Sequence, residues 1–301
     1  MSDRNAPPQS VSIDTILPSA MAQRAEAAGV TRAGMDPLAV FVLSILAGAF
    51  ISFGAVFATT VGASIVNLPG EAGSAASLPY GVARLLTGLV FCVGLILVIV
   101  GGAELFTGNN MLIMAWAGGK VTTRAVLANW VIAFTGNFIG AIATAALMFV
   151  STQYTFGNGG IGLNALTIAN GKSALAFMPA FTLGILCNAL VCLAVWMCYG
   201  ARTTIDRVVT IIPPISAFVA AGFEHSIANI YFIPMGLFIK SGAPDTFWSA
   251  IGKSPSDFPA LTWENFVFAN LIPVTAGNIV GGSLMVAAVY WFVYLRRKPN
   301  I

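Results

Sequence analysis

The stretch "AAGFEHSIANIYFIPMG", residues 220–236, sets Glu224 beside His225, the single histidine in 301 residues. A second carboxylate, Glu104, stands in "GAELFTGNNM", residues 102–111. Each glutamate interrupts a run otherwise free of Asp, Glu, Lys and Arg, residues 85–119 and 208–239. An imidazole is the one side chain whose ordinary pKa lies near neutrality, so it can donate a hydrogen bond or a proton to a small weak-acid anion. The neighbouring carboxylate can tune that charge or cap a freed helix end. The plainer reading is that both glutamates and the histidine only brace bent helices.

The elements that hold these groups are apolar. The chain is 57% hydrophobic and 8% charged, where a soluble domain carries about 25% charged residues. An integral membrane protein is implied. The net charge of +3 is small and dispersed, which excludes a nucleic-acid partner. Cys92, Cys187, Cys192 and Cys198 fall in apolar runs with no CxxC pair, so they read as small hydrophobes and neither a metal nor another cofactor is expected. The polar first 37 residues lack the apolar core of a cleaved signal peptide.

Uncharged stretches of about 20 residues suit membrane helices. They predict spans at 38–66, 85–119, 124–151, 173–201, 208–239 and 265–295, with a Gly/Asn/Thr-rich loop after the third. The layout is a tail over 1–37, a six-span domain over 38–295 and a tail over 296–301. Six spans place both termini on one side. That side collects ten cations: Arg4, Arg24, Arg32, Lys120, Arg124, Arg202, Arg207, Arg296, Arg297 and Lys298. The other side holds Arg84, Lys172, Lys240 and Lys253. Positive-inside asymmetry then puts both termini in the cytoplasm. Trp116, Trp130, Trp196 and Trp291 fall near span ends, as interfacial anchors would. "LPSAMAQRAEAAGV" predicts a short interfacial helix ending at Gly29, and 240–264, with Trp248 and Trp263, an outer loop folded over the surface.

The two interrupted spans align: "GAELFTGNNM" over "GFEHSIANIY" matches Glu104 to Glu224 and Asn109 to Asn229. Further on, "GNFIGAI" (136–142) matches "GNIVGGS" (277–283). A three-span unit repeated once enters the membrane from the opposite face, the inverted repeat of many transport proteins. Gly101, Gly102 and Gly108 flank the first carboxylate, and Pro213, Pro214, Gly222 and Pro234 the second. Such residues weaken helices, and non-helical backbone at membrane depth is tolerated only around a cavity or inside protein. Two facing breaks with half-helices starting near Thr107 and Ser226 therefore predict a pore or site between them, with electropositive helix ends suited to anions.

"FEHSIANIYFIPMG", "ELFTGNN", "NLIPVTAGNIVGG" and "LCNALVCLAVWM" resemble the formate/nitrite transporter family, its formate channel branch above all, from about Ile16 to Leu295. The resemblance implies an all-α, aquaporin-like protomer with broken second and fifth helices, set in an inner membrane as one of five in a ring, each with its own pore. It implies His225 as the central histidine, Thr107 as the threonine of the loop after the first break, and Lys172 as the outer vestibule lysine. Asn188 and Asn278 become polar pore-lining residues. Phe91, Leu95, Phe218 and Val191, with Leu105 and Phe106 beside Thr107, become apolar constrictions. The run "TGNN" departs from relatives, which carry Ser, Thr and Val there.

The expected function is passage of a small monovalent anion, formate first, with protons as a second partner and Glu224 tuning His225. Nitrite or hydrosulfide are alternatives within the family. A neutral-solute pore is an alternative outside it, although the two Asn-Pro-Ala boxes of aquaporins are missing. With no metal cluster and no nucleophile–base set, no enzyme activity is expected.

Overall fold

The computed structural model describes residues 14, 16–65 and 78–296. Expectations resting on residues 1–13 and 297–301, including the charges of Arg4, Arg297 and Lys298, lie outside that range. The chain forms α1 (Pro18–Ala33), α2 (Pro37–Gly62) and α3 (Tyr80–Gly101). A non-helical segment and a 3-10 turn, Gly108–Leu112, then lead into α4 (Ile113–Ala117). There follow α5 (Thr123–Val150), α6 (Gly160–Ser173), α7 (Phe177–Cys198), α8 (Thr204–Ala221), α9 (Ser226–Gly242) and α10 (Asp245–Ile251). A last long helix, α11 (Trp263–Tyr294), closes the chain.

Among the described residues six helices, α2, α3, α5, α7, α8 and α11, are long and apolar enough to cross a membrane. Three spans per half run the second half in the opposite direction, which is the inverted repeat. The mouth of the bundle near α1 is called the near mouth below, and the one beside α6 the far mouth.

Close helix contact sets the scaffold. Without water to expel between helices, packing depends on small residues that let backbones approach. A Cβ at Gly140 of α5 would lie 2.0 Å from the Ile45 carbonyl oxygen of α2. Its repeat partner Gly281 would meet the Ile185 carbonyl of α7 at 2.1 Å. Both interrupted helices end alike, at glycines in the left-handed region: Gly102 at φ 77° and Gly222 at φ 78°. A side chain there would strain the backbone.

Several expectations change. Pro213 and Pro214 sit inside α8 and Pro234 inside α9 without breaking either; the second break is at 222–225. The Ser216 hydroxyl, in the following turn, donates to the Ile212 and Pro213 carbonyls. The loop expected after the third span contains the largely buried α6. The helix expected to end at Gly29 runs to Ala33, and it docks on protein instead of lying free on the surface: Met21, Ala22, Ala25 and Glu26 are buried. Trp196 is no lipid-facing anchor, since its ring stacks on Tyr290 at 3.9 Å. Trp130 donates to the Asn109 carbonyl. In the far loop Trp248 is buried against Phe247 and Phe258, whereas Trp263 is exposed. Helix α11 carries two π-helical stretches, Phe266–Leu271 and Val280–Ala288, that no feature of the composition announced.

Alanine at Gly140 or at Gly281 should each destabilise the solubilised protein by about 3 kcal/mol, the upper range of overpacking. Thermal unfolding in detergent checks this, with Gly81→Ala as the control, since nothing lies within 4 Å of that position.

Candidate permeation site

Beyond Gly102 the chain turns back into the bundle. The Glu104 N–H donates to the Leu43 carbonyl of α2 at 3.3 Å, and in the second half the Glu224 N–H donates to the Leu183 carbonyl of α7 at 3.3 Å. Each returning segment then meets an asparagine of the next span. The Asn137 Oδ1 accepts from the Phe106 N–H at 2.9 Å, while its Nδ2 donates to the carbonyls of Ser44 (2.7 Å) and Glu104 (2.9 Å). Asn278 repeats the pattern: Oδ1 accepts from the Ser226 N–H at 2.9 Å, and Nδ2 donates to Gly184 (2.8 Å) and Glu224 (3.0 Å). Each carboxamide thus joins three stretches of chain. The glutamate side chains do not cap the half-helices; each asparagine takes one freed N–H, that of Phe106 or of Ser226.

The carboxylates do other work. Glu104 accepts from Asn109 Nδ2 at 2.8 Å and pairs with Arg32 of α1 at 3.3 Å. Glu224 accepts from Asn229 Nδ2 at 2.6 Å and pairs with Lys172 of α6 at 2.8 Å. Asn109 and Asn229 reach on to Asn129 of α5 (2.9 Å) and Asn270 of α11 (2.8 Å). All four asparagines and both glutamates are buried. Charges taken out of water need partners and hydrogen bonds on their remaining atoms, and each half supplies the same set.

His225 caps α9. Its Nδ1 accepts from the Ala228 N–H at 3.1 Å, and its Nε2 lies 3.1 Å from the hydroxyl oxygen of Thr107, the residue at the N-cap position of the opposite 3-10 turn. With Nδ1 held as an acceptor, the neutral ring carries its proton on Nε2, aimed at Thr107. The two caps are not repeat partners. The matching of Glu104 to Glu224 sets Leu105 against His225 and Thr107 against Ile227, so the pair meets across the pseudo-axis from unequal positions.

Aromatic rings cover the histidine on the far side. Phe218 lies nearly parallel to it at 6.0 Å between centroids, and Phe91 meets Phe218 edge-on at 5.7 Å. A cavity beyond them is lined by Phe91, Phe218, His225, Lys172, Arg84 and Asn229, among others. On the near side a second cavity is lined by Arg32, Glu104, Val195, Tyr199 and Arg207, and it does not reach His225. Thr107, Leu95, Leu105 and Val191 are buried and line neither cavity, so packed side chains separate the two.

The structure therefore places His225, Phe91, Phe218 and Lys172 on the wall of one cavity, with Thr107 against His225 and Glu224 against Lys172. It does not bring Phe106 there: that ring packs edge-on against Phe134 (5.2 Å) and Trp130 (6.2 Å) of α5. Asn188 and Asn278 line neither cavity and spend their carboxamides on protein, Asn188 on the Asn110 side chain (2.8 Å) and the Asn278 carbonyl (2.7 Å). Asn137, Arg32, Arg84 and Arg207 escaped sequence reasoning as site residues. Asn137 stood in the matched "GN" pair, and the arginines entered only as charges to be counted.

An inverted repeat with two facing half-helix ends, a buried histidine between them and a cationic cavity at each mouth defines a membrane transport protein. Comparison narrows the class. Residues 19–292 match the family described as formate/nitrite transporter, and the chain belongs to that family. It is 44% identical to the formate channel FocA of Escherichia coli (strain K12) over 95% of this chain and 97% of that one. It is 38% identical to the formate channel FocA of Haemophilus influenzae, over 92% and 94% respectively. Among solved structures it resembles a pentameric formate channel with formate bound, with TM-score 0.78, 42% identity and coverage of 86% of this chain and 98% of that one.

Replacing Asn278 by alanine takes the side-chain partner from the Ser226 N–H and the Glu224 carbonyl of the break, at about 1–3 kcal/mol each. We expect a loss of about 3 kcal/mol or more in unfolding of the solubilised protein, and a similar loss for Asn137→Ala. A variant as stable as the parent would show that the carboxamides do not hold the breaks.

Proposed function

We propose that the protein passes small monovalent anions, formate first, through a pore within each protomer. The observation that carries this reading is the His225 Nε2–H, held at the meeting point of the two breaks and lining the far cavity. The relatives named as formate channels support formate as the anion, and the pentameric neighbour supports a ring of five. The cation count supports an inner membrane orientation with both termini cytoplasmic.

An anion in the far cavity is flanked by Lys172 and Arg84. To go further it must pass Phe91 and Phe218, where it loses water, a cost of several kcal/mol for a full charge. His225 offsets part of that cost. Its Nε2–H turns from Thr107 to the anion, and the released threonine hydroxyl supplies a second donor. As capped by Ala228, the ring is a hydrogen-bond donor. Handing over a proton requires a doubly protonated ring, whose Nδ1–H must first release the Ala228 N–H. Leu95, Leu105 and Val191 form the packed stretch that must part before the anion reaches the near cavity.

Flux into proteoliposomes tests the reading, comparing formate, nitrite, acetate and hydrosulfide across pH. Formate flux equal to that of empty vesicles would sink it. His225→Asn separates donation from bracing: the shorter amide keeps an acceptor for the Ala228 N–H and loses the Nε2–H. A hydrogen bond to a charged group is worth about 1.5–3 kcal/mol, so formate flux should fall about ten- to a hundredfold and lose its pH dependence, with stability unchanged. Unchanged flux in this variant would leave His225 only its capping role.

A further inference from the structure

In each mouth one cation is already spoken for. Lys172 stands 2.8 Å from Glu224, and Arg32 stands 3.3 Å from Glu104. Viewed from a cavity, each pair is a dipole with little net charge. Yet each cavity is lined by a second cation that forms no salt bridge among the described residues: Arg84 at the far mouth and Arg207 at the near one.

Both arginines come from the first turns of the broken helices, α3 and α8. Arg84 is half-buried and held by backbone alone. Its Nε donates to the Ala220 carbonyl at 3.1 Å and its Nη2 to the Val219 carbonyl, in the last turn of α8. A guanidinium has five N–H donors, so three remain for a ligand. The bonds to α8 fix the fork beside Phe218 and His225, which line the same cavity. Arg207 is exposed on the near cavity wall. Among the described residues no ion pair joins it to its neighbour Asp206, one of whose carboxylate oxygens accepts from the backbone N–H groups of Arg202 and Thr203, both at 2.9 Å.

We infer that Arg84 and Arg207 supply the net positive charge that concentrates anions at the two mouths, while the pairs Lys172–Glu224 and Arg32–Glu104 anchor the half-helices. The inference rests on the anion-passing function proposed above. It reassigns the attracting charge at the far mouth from the lysine to the arginine. The chemical class served is any small anion: a charge at the mouth acts before the selective centre and does not discriminate among them.

Charge focusing of this kind raises capture rates by about 10- to 1000-fold in charged clefts, and removing one charge should act at the low end. Formate flux into proteoliposomes, at subsaturating formate, is measured for the parent, Arg84→Gln and Arg84→Lys between about 0.01 M and 1 M ionic strength, where the screening length falls from about 30 Å to 3 Å. Arg84→Gln should reduce flux about three- to tenfold at low salt, with the difference gone at high salt. Arg84→Lys should keep the parent's salt slope. A loss in Arg84→Gln that is equal at every salt concentration, or a lysine variant behaving like the glutamine one, would make Arg84 a brace for α8 and overturn the inference, as would an unchanged salt slope. Absence of formate flux in the parent would instead defeat the proposed function.

Discussion

A bilayer core has no water for a freed backbone group, and the protein depends on how two asparagines answer that constraint. A helix that stops, returns and restarts at membrane depth frees N–H and C=O groups, each of which costs several kcal/mol unpaired in hydrocarbon. Asn137 and Asn278 each take up one N–H and one carbonyl of a break, and tie them to a carbonyl of the adjacent helix, at 2.7–3.0 Å. A carboxamide can do this because it offers an acceptor and two donors in one plane. Serine has too few donors and a carboxylate none. The glycine contacts at 140 and 281 bring α5 and α11 close enough to α2 and α7 for these side chains to reach.

On that scaffold the two halves are alike in framework and unlike at the centre. Carboxylate, asparagine, partner asparagine and cation recur in both halves. The residues that meet in the middle do not. His225 stands where the first half has Leu105, and Thr107 where the second has Ile227. A pair of histidines would place like rings and like charges face to face. One histidine against one hydroxyl gives a single oriented donor with a partner that can both accept and donate. The duplication builds the cavity walls, and departures from it furnish the chemistry.

Much of this was legible beforehand. Six spans follow from charge-free runs, because burying a charge in lipid is costly enough to make its absence informative. The inverted repeat follows from two short matches in the same order. The breaks were located by their glycines, and the prolines misled: a proline removes one donor and leaves α8 and α9 continuous, whereas a left-handed glycine redirects the chain. Phe106 was misplaced for a similar reason. Phe106 and Thr107 lie in a turn, where sequence adjacency does not fix a common direction, and Phe106 packs away toward Trp130 and Phe134. Ion pairing was invisible altogether. Lys172 and Glu224 are 52 residues apart, and no periodicity links them.

That pairing alters how charge in an anion pathway is understood. A carboxylate beside the route repels the very ion that must pass, by about 4 kcal/mol at 4 Å under an effective dielectric of 20. Glu104 and Glu224 are nevertheless built into both breaks, because each fixes an asparagine that ties the half-helix to α5 or α11. Their cations cancel that repulsion first and serve passing anions second. A net attraction therefore requires a further charge on the cavity wall, separate from the framework. The first turns of α3 and α8 provide that position: each begins at a mouth, and each lies beside the end of the other helix, whose carbonyls hold a guanidinium in place at the far mouth without neutralising it.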